Sequence, residues 1–379
     1  MFHEIQVKKG IRFFFFTLFI FAVGGGAGVY FEHRLIPQLA STKPFSQFHF
    51  LQNLTERVTI VQKTEQVVIR EDDTVERIVS QPATAVVSLI ARKEKQSTQQ
   101  TGVLLTNDGL VVTYAVAPLI APDAEVEVLF YDGTSQKARY IATDTLMNVV
   151  YYRVEGVNVP AIALANSDDS RVGRKLIVIG NSSVEYQNQL AVGILGNNNR
   201  TFNLAGQTVS SSEKWEGVFE MDLASLENFV GGPAIGFNGE MVGLVGTLRF
   251  DGTQQAFLLP ANALRMSLER AIRGTLGERP VLGISYRALT KASAIATGLS
   301  RDRGALVYAP SGRTSLAVLS GSVAEKIGLR FGDIIIAVNG EEINLDNPLS
   351  AALGQYARGD EVSFLVLRDG KEETLSLTF

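Results

Sequence analysis

Residues 219–243 read FEMDLASLENFVGGPAIGFNGEMVG, and this stretch carries the clearest fold signal in the chain. It holds most of two short apolar runs, Val218–Met221 and Met241–Val245, with Gly231–Pro233 between them. Short apolar or β-branched runs bounded by glycine, asparagine and aspartate are typical of strands. The stretch therefore predicts two β-strands separated by a glycine-containing loop.

The same pattern extends outward from this stretch, from Ala85 to about Leu259. Its further runs are Ala85–Leu89, Gly102–Leu105, Leu110–Thr113, Val126–Phe130, Leu176–Ile179, Gly193–Leu195 and Phe257–Leu259. Many short strands at near-regular spacing, with few helical stretches, predict an all-β sandwich or a pair of barrels.

The segment downstream of these strands predicts a helix and then a second module. Leu264, Leu268 and Ile272 recur at fourfold spacing between Pro260 and Arg273, and Gly274 is a typical helix stop. The rest of the chain mixes predicted strands with two short predicted helices: Gly304–Tyr308, Ile334–Val338, Val362–Leu367 and Thr374–Phe379, and Val323–Ile327 and Pro348–Tyr356. This mixture predicts a compact α+β module.

Rare residues limit the possible chemistry. The 379 residues carry a formal net charge of -4, include no cysteine, and place their three histidines at His3, His33 and His49. A cysteine nucleophile, a disulfide framework, a Cys/His zinc site and any histidine-assisted step after residue 49 are excluded. The slightly acidic balance argues against nucleic acid as a partner, and the sequence implies no cofactor or metal.

The N-terminal part contains an uncharged apolar run, Phe13–Phe31. Its length is close to the roughly 20 residues that one helix needs to cross a bilayer. Lys8, Lys9 and Arg12 precede the run, so we expect a single-pass helix in the cell membrane with a cytoplasmic N-terminus and an extracytoplasmic body. A cleaved signal peptide is the alternative, but the run is long for a signal core and bulky residues stand where a cleavage site needs small ones.

Several motifs in this order resemble the HtrA/Deg family of exported or membrane-anchored, trypsin-like serine proteases with a C-terminal PDZ domain. The motifs are Asn107–Thr113, Val172–Asn181, Phe219–Asp222 with Gly231–Pro233 and Gly239–Gly243, Phe257–Pro260, and Val281–Ile284. The resemblance implies a mainly β fold with a double six-stranded, chymotrypsin-like β-barrel and an α+β PDZ domain. It divides the chain into a cytoplasmic N-terminus (1–12), a transmembrane helix (13–31), a stem (32–80), an inactive protease domain (81–262), a connecting helix (263–280) and a PDZ domain (281–379).

The catalytic positions implied by the resemblance are occupied by other residues. Val116 stands where the family has histidine, Asn148 where it has the orienting aspartate, and Val230 where it has the nucleophilic serine. A hydroxyl, an imidazole and a carboxylate are what that mechanism requires. The sequence therefore predicts a pseudoprotease, that is, a member without catalytic residues. Asn228 also replaces the first glycine of the loop that would stabilise the oxyanion.

Another nucleophile remains an alternative. Ser225, the run Ser210–Ser212 and Lys175 leave a serine–lysine dyad formally open. We interpret the serine run as solvated turn residues instead. An active serine endopeptidase with an unrecognised nucleophile is thus the competing hypothesis.

The C-terminal module keeps its binding motifs. A PDZ domain adds the ligand's last residues to a sheet edge and captures the terminal carboxylate on backbone N–H groups. Leu282, Gly283 and Ile284 resemble that carboxylate loop, and a helix carrying Leu349 and Leu353 would form the far wall of the groove. We expect the PDZ domain to bind protein C-termini or unfolded polypeptide.

Together these features predict a peptide-binding scaffold, regulator or chaperone-like protein in extracytoplasmic protein quality control. Its expected partners are polypeptide ligands, the lipid bilayer through residues 13–31, and further copies in a homo-oligomer such as a trimer, or an active relative in a mixed assembly. A body that serves only as an oligomerisation platform is the remaining possibility.

Overall fold

The computed structural model describes residues 2–31, 71–94, 96–116, 119–181, 188–207, 209–250, 252–309 and 316–379. The chain divides into two compact units, Met1–Val68 and Ile69–Phe379. Most of the predicted stem, residues 32–70, and with it His33 and His49, lies outside the described residues.

The first unit contains one helix, α1 (Phe2–Tyr30), in its described part. Large apolar side chains along it are exposed, including Phe14, Phe19 and Phe21. Among the residues that the structure describes, no helix combines the length and apolar character needed to cross a membrane.

The second unit begins with a short helix and a closed barrel. Helix α2 (Glu71–Val79) lies at the end of the segment that was assigned to the stem. The barrel strands pair in the order β1-β2-β3-β6-β5-β4. Their bounds are β1 (Val86–Lys93), β2 (Gln96–Leu104), β3 (Leu110–Tyr114), β4 (Glu125–Leu129), β5 (Ser135–Asp144) and β6 (Val149–Arg153). All neighbouring pairs are antiparallel, and inward side chains such as Leu89, Val111 and Tyr151 are fully buried.

A second closed barrel follows, in the strand order β10-β13-β12-β11-β7-β8. Its strands are β7 (Lys175–Asn181), β8 (Asn188–Asn203), β10 (Glu216–Asp222), β11 (Pro233–Ile235), β12 (Met241–Phe250) and β13 (Thr253–Pro260). Two six-stranded barrels confirm the predicted architecture. The fragment β9 (Ser210–Ser211), between β8 and β10, lies outside this barrel.

Helix α3 (Ala261–Arg273) leaves the second barrel, and Gly274 ends it with a φ of 73°. Leu264 is fully buried, as expected for a residue on the apolar face of the predicted helix. Ile272, at the end of the fourfold spacing, is 59% exposed, so its placement on that face was wrong. At 3.6 residues per turn, each step of four residues advances the side chain by about 40°. Two such steps rotate Ile272 off the buried face, which continues through Ser267 and Ala271 instead.

The C-terminal domain packs short helices on a sheet. Its strands are β14 (Ser285–Ala288), β15 (Ala305–Val307), β16 (Ile334–Val338), β17 (Glu341–Glu342), β18 (Glu361–Arg368) and β19 (Lys371–Thr378). Its helices are α4 (Lys291–Thr297), α5 (Val323–Lys326) and α6 (Leu349–Leu353). The sheet order is β19-β18-β16-β15-β14-β9, and β17 pairs with β16. One edge strand, β9, is therefore supplied by the segment between β8 and β10.

Candidate functional site

Two of the three predicted catalytic positions face one cavity. Val116 follows β3, and Val230 follows the 3-10 turn Leu226–Phe229. Both are half-buried and line a cavity of about 540 Å3. The other eight lining residues are all polar: Gln99, Gln100, Thr101, Asn181, Gln189, Glu227, Asn228 and Thr247.

The loop beside Val230 is fixed by two glycines. A Cβ on Gly231, whose φ is 84°, would lie 2.1 Å from the carbonyl oxygen of Thr101. A Cβ on Gly232 would lie 2.1 Å from the carbonyl oxygen of Ile179. Only glycine fits such close backbone approaches. The two glycines that this loop conformation requires are present, whereas the residue before them, Val230, carries an aliphatic side chain.

The amide of Asn228 is part of a local turn. Its N–H donates to the carbonyl of Ser225 at 3.0 Å, within the 3-10 turn, and Ser225 has a φ of 60°. An oxyanion site needs its N–H groups aimed at the reacting oxygen. In this conformation the Asn228 N–H is committed to Ser225.

Asn148 lies beside Val116, but its side chain does not line the cavity. Its carbonyl accepts a hydrogen bond from the N–H of Ala115 at 2.7 Å, which places it next to Val116. Its side-chain Oδ1 accepts from Nζ of Lys214 at 2.8 Å, and Nδ2 donates to the Tyr114 hydroxyl at 3.5 Å. Burial lowers the pKa of Lys214 and raises the pKa of Tyr114 to about 12.

The hydroxyls at the cavity are already hydrogen-bonded. Thr101 Oγ1 accepts from the N–H of Asn181 at 3.0 Å, and Thr247 Oγ1 donates to the carbonyl of Gln255 at 3.2 Å. Behind them, Thr113 Oγ1 donates to the Thr101 carbonyl at 2.6 Å. Each of these contacts is a structural bond between strands or loops. None places an acid or base next to a nucleophile.

The serine run proposed as an alternative nucleophile lies at a different place. Ser210 and Ser212 are each 5% exposed, so the interpretation of this run as solvated turn residues was wrong. Ser210 Oγ donates to Glu216 Oε1 at 3.0 Å, and Ser212 Oγ donates to the carbonyl of Ile284 at 3.1 Å. Ser225 is exposed, at the start of the turn described above. Within the described residues no group of three His, Cys, Asp or Glu side chains could hold a metal ion.

The residues predicted to bind peptide come together in the C-terminal domain. Leu282, Ile284, Leu349 and Leu353 are all buried in one apolar core. Gly283 has a φ of 82°, and a Cβ on it would lie 2.5 Å from Cβ of Ser322. This turn exposes the backbone N–H of Gly283 to an acceptor, the side chain of Glu213, whose Oε1 lies 2.9 Å away.

Glu216 lies where the second barrel contacts the C-terminal domain, and the sequence did not indicate it as a site residue. Glu216 begins β10 and is 1% exposed. Its carboxylate accepts hydrogen bonds from the Tyr286 hydroxyl at 2.6 Å and from Ser210, while its N–H donates to Ser350 Oγ at 3.0 Å. Burial raises the pKa of Glu216 to about 7, although the two hydroxyl donors oppose the shift. A single acidic residue in a strand gives no sequence signal for such contacts.

Two family models match the chain. A model described as a trypsin-like peptidase domain matches residues 100–244, and one described as a PDZ domain matches residues 280–379.

Several curated relatives share the name "Probable periplasmic serine endoprotease DegP-like". The one from Pseudomonas putida (strain W619) is 26% identical over 291 residues, and the one from Ectopseudomonas mendocina (strain ymp) is 28% identical over 291 residues. Each match covers 76% of this chain and 57% of the relative. The chain thus spans little more than half the length of these relatives.

Solved structures share the fold. The structure titled "HtrA-type protease AlgW with tripeptide" matches with a TM-score of 0.60 at 24% identity, over 79% of this chain and 95% of the other. The serine endoprotease from Yersinia pestis matches with a TM-score of 0.54 at 19% identity, over 80% and 96% of the two chains.

Proposed function

Because the chain belongs to the HtrA-like family, with a trypsin-like peptidase domain and a C-terminal PDZ domain, we propose that it binds polypeptide without cutting it. In this proposal the two barrels are a scaffold and the PDZ domain is the binding module. The curated relatives carry names of endoproteases, so this proposal sets the activity of the chain apart from the activity that those names state.

One observation carries the proposal. Val116 and Val230 line the cavity at the positions where the resemblance places histidine and serine. Valine has neither a proton to transfer nor a lone pair with which to attack a carbonyl. No histidine follows His49 that could take over the role of the imidazole. At the third position, the side-chain oxygen of Asn148 accepts a hydrogen bond from Nζ of Lys214.

The geometry of the PDZ domain supports polypeptide binding. Recognition of a chain terminus depends on backbone N–H donors and a free sheet edge more than on particular side chains. In the Leu282–Ile284 turn, the N–H groups of Gly283 and Ile284 already donate to the side chains of Glu213 and Ser212, so they are oriented to bind an acceptor. Helix α6 places Leu349 and Leu353 in the same apolar core. Two solved neighbours are titled as complexes of AlgW with a tripeptide and a decapeptide. We propose protein C-termini or unfolded segments as the ligands.

We propose that the body works outside the cytoplasm, anchored by residues 13–31 in the bilayer with the N-terminus cytoplasmic. The relatives are named periplasmic, which supports the compartment. The exposed aromatic side chains of α1, such as Phe14 and Phe21, support the anchor because exposing large apolar groups to water is unfavourable. The basic residues before the run support the orientation.

As a binding module in that compartment, the protein would act as a scaffold, regulator or chaperone-like factor in protein quality control. We propose that it works as a homo-oligomer, such as a trimer, or together with an active relative. Size-exclusion chromatography with light scattering of the detergent-solubilised full chain tests whether the protein is a homo-oligomer. Co-purification with a peptidase from the same membrane tests whether the protein assembles with an active relative.

Labelling with a serine-directed fluorophosphonate, read by intact-protein mass, tests the loss of catalysis. We expect no adduct on the full chain under conditions that label an active DegP-like relative completely. A stoichiometric adduct would instead establish an active serine endopeptidase with an unrecognised nucleophile. The variants Ser225→Ala and Ser211→Ala would then show which serine carries the label.

A further inference from the structure

We propose that the segment Ser210–Glu213, here called the serine segment, is an internal ligand of the PDZ groove. An external chain terminus then binds only by displacing it. This inference rests on the proposed peptide-binding function and adds a regulatory contact to it. The groove is the space between β14 and α6, closed at one end by the carboxylate loop Leu282–Ile284.

The serine segment adds a strand where a ligand would add one. Without β9, strand β14 would be the edge of the sheet. β9 pairs with it antiparallel, with Ser210 opposite Tyr286 and Ser211 opposite Ser285. Addition of an extended peptide to a free sheet edge is the way such domains hold their ligands. The serine segment thus occupies the edge that an incoming peptide requires.

The same segment presents a carboxylate to the carboxylate loop. Glu213 Oε1 accepts a hydrogen bond from the N–H of Gly283 at 2.9 Å. Ser212 Oγ accepts from the N–H of Ile284 at 3.1 Å, and the Ser212 N–H donates to the Ile284 carbonyl at 3.1 Å. The side-chain carboxylate of Glu213 therefore takes the place that the terminal carboxylate of a ligand would take.

Glu216, which follows the serine segment, contacts both walls of the groove. Glu216 accepts from the hydroxyl of Tyr286 on β14, at 2.6 Å, and its N–H donates to Ser350 on α6, at 3.0 Å. Ser210 and Ser212 are almost completely buried. Because the segment belongs to the same chain, its effective concentration at the groove is about millimolar or higher. Free peptides at micromolar concentration compete with it at a disadvantage.

An external ligand that displaces the serine segment must replace the contacts that the segment makes. It needs a free C-terminal carboxylate to replace Glu213 on the Gly283 N–H, and an extended backbone to replace β9. Suitable probes are fluorescein-labelled decapeptides that end in Val, Leu or Phe, each with a free carboxylate. The same decapeptides with an amidated C-terminus are their controls.

The first experiment removes the internal carboxylate. We expect Glu213→Ala to bind the free-carboxylate decapeptides about tenfold or more tightly than the unchanged chain, measured by fluorescence anisotropy. Glu269→Ala removes an exposed carboxylate on α3 and should match the unchanged chain. Equal affinity for Glu213→Ala and the unchanged chain would overturn the internal-ligand inference and leave the peptide-binding function standing.

The second experiment locks the serine segment in place. The N–H of Ser285 donates to Ala317 and its carbonyl accepts from Tyr308, so Ser211 and Ser285 form a pair without mutual hydrogen bonds. The Cα atoms of such pairs approach to about 4.5 Å, within the range of a disulfide. The chain has no cysteine of its own, so Ser211→Cys combined with Ser285→Cys can form only this cross-link within one molecule.

We expect the double variant to cross-link under mild oxidation, to lose decapeptide binding, and to regain it on reduction. Ser211→Cys alone should bind equally in both conditions. No cross-link, or equal peptide binding by the oxidised and reduced double variant, would overturn the inference.

The two proposals can fail separately. If neither Glu213→Ala nor the reduced double variant binds any decapeptide, the proposed peptide-binding function fails. Cross-link formation then still decides whether the serine segment occupies the groove. Amide hydrogen exchange gives an independent reading, because the amides of Gly283 and Ile284 should exchange at least about tenfold faster in Glu213→Ala.

Discussion

Arg279 Nη1 lies 2.6 Å from Oδ1 of Asp144, whose side chain is 1% exposed, while that of Arg279 is 13% exposed. Asp144 ends β5 of the first barrel, whereas Arg279 lies in the segment that leads from α3 to the PDZ domain. The second carboxylate oxygen, Oδ2, accepts a hydrogen bond from Ser267 on α3 at 2.5 Å. This ion pair therefore ties the first barrel to the connection between the two domains.

Removing the cation should destabilise the protein. Arg279→Met leaves the buried Asp144 carboxylate without its charge partner, and breaking a buried ion pair on one side costs about 3 kcal/mol or more. We expect a lower midpoint of urea unfolding. Arg139→Met breaks an exposed pair with Glu155 and should change the free energy of unfolding by less than about 1 kcal/mol. Equal midpoints for the two variants would show that the buried pair does not hold the domains.

Glu216 should make stability depend on pH. Its pKa in the folded protein is about 7, above the ordinary value of 4.5, so between these values the folded state holds a proton that the unfolded state has lost. The resulting stabilisation is complete below about pH 4.5 and disappears as the pH rises through about 7. It is worth up to about 3 kcal/mol.

Glu216→Gln should remove this part of the pH dependence, because the amide does not titrate. Thermal unfolding of both forms between pH 5 and pH 8 measures it. We expect the melting temperature of the variant to fall less across this range than that of the unchanged chain. Parallel curves would mean that Glu216 does not titrate in this range.

Gly283 should be indispensable for the carboxylate loop. Gly283→Ala combines an unfavourable positive φ with a Cβ placed 2.5 Å from Cβ of Ser322. Gly340→Ala has a similar φ of 83° but no heavy atom within 4 Å of its Cβ, so it isolates the cost of the backbone conformation. We expect Gly283→Ala to be destabilised by about 1–3 kcal/mol more than Gly340→Ala and to lose peptide binding. Equal losses of stability would contradict the close packing at Ser322.

Restoring the serine alone should not restore activity. Val230→Ser supplies a hydroxyl, but Val116 provides no base and Asn148 no carboxylate, so the hydroxyl stays a weak nucleophile. We expect no fluorophosphonate adduct on this variant, as on the unchanged chain. Labelling of Val230→Ser alone would reveal a base at the cavity that the sequence did not indicate.

The sequence predicted the barrels well because their inward side chains alternate with turns rich in glycine and asparagine. The predicted runs omitted β6, β11 and β5, and the residues of β5 from Ser135 to Asp144 are mostly polar and partly exposed. The sequence also misplaced Ile272, because a row at fourfold spacing drifts around the helix. Local apolar patterns determine such predictions, and at β5 and Ile272 they fail because those residues are solvated.

The docking of Glu213 on Gly283 could not be predicted from local pattern. The two residues are 70 positions apart, and a serine-rich run next to a glutamate is typical of a surface turn. The motif Leu282–Ile284 indicated where a carboxylate binds, but not that the chain supplies one itself. Only the packing of the two domains brings these groups together.

Hydrolysis of dye-quenched casein by the purified full chain measures whether the protein cuts polypeptide. We expect no rise in fluorescence over hours at a protein concentration at which a DegP-like relative digests the substrate within minutes. Sustained turnover that scales with protein concentration, and that persists in material purified from a host without other periplasmic peptidases, would contradict this expectation.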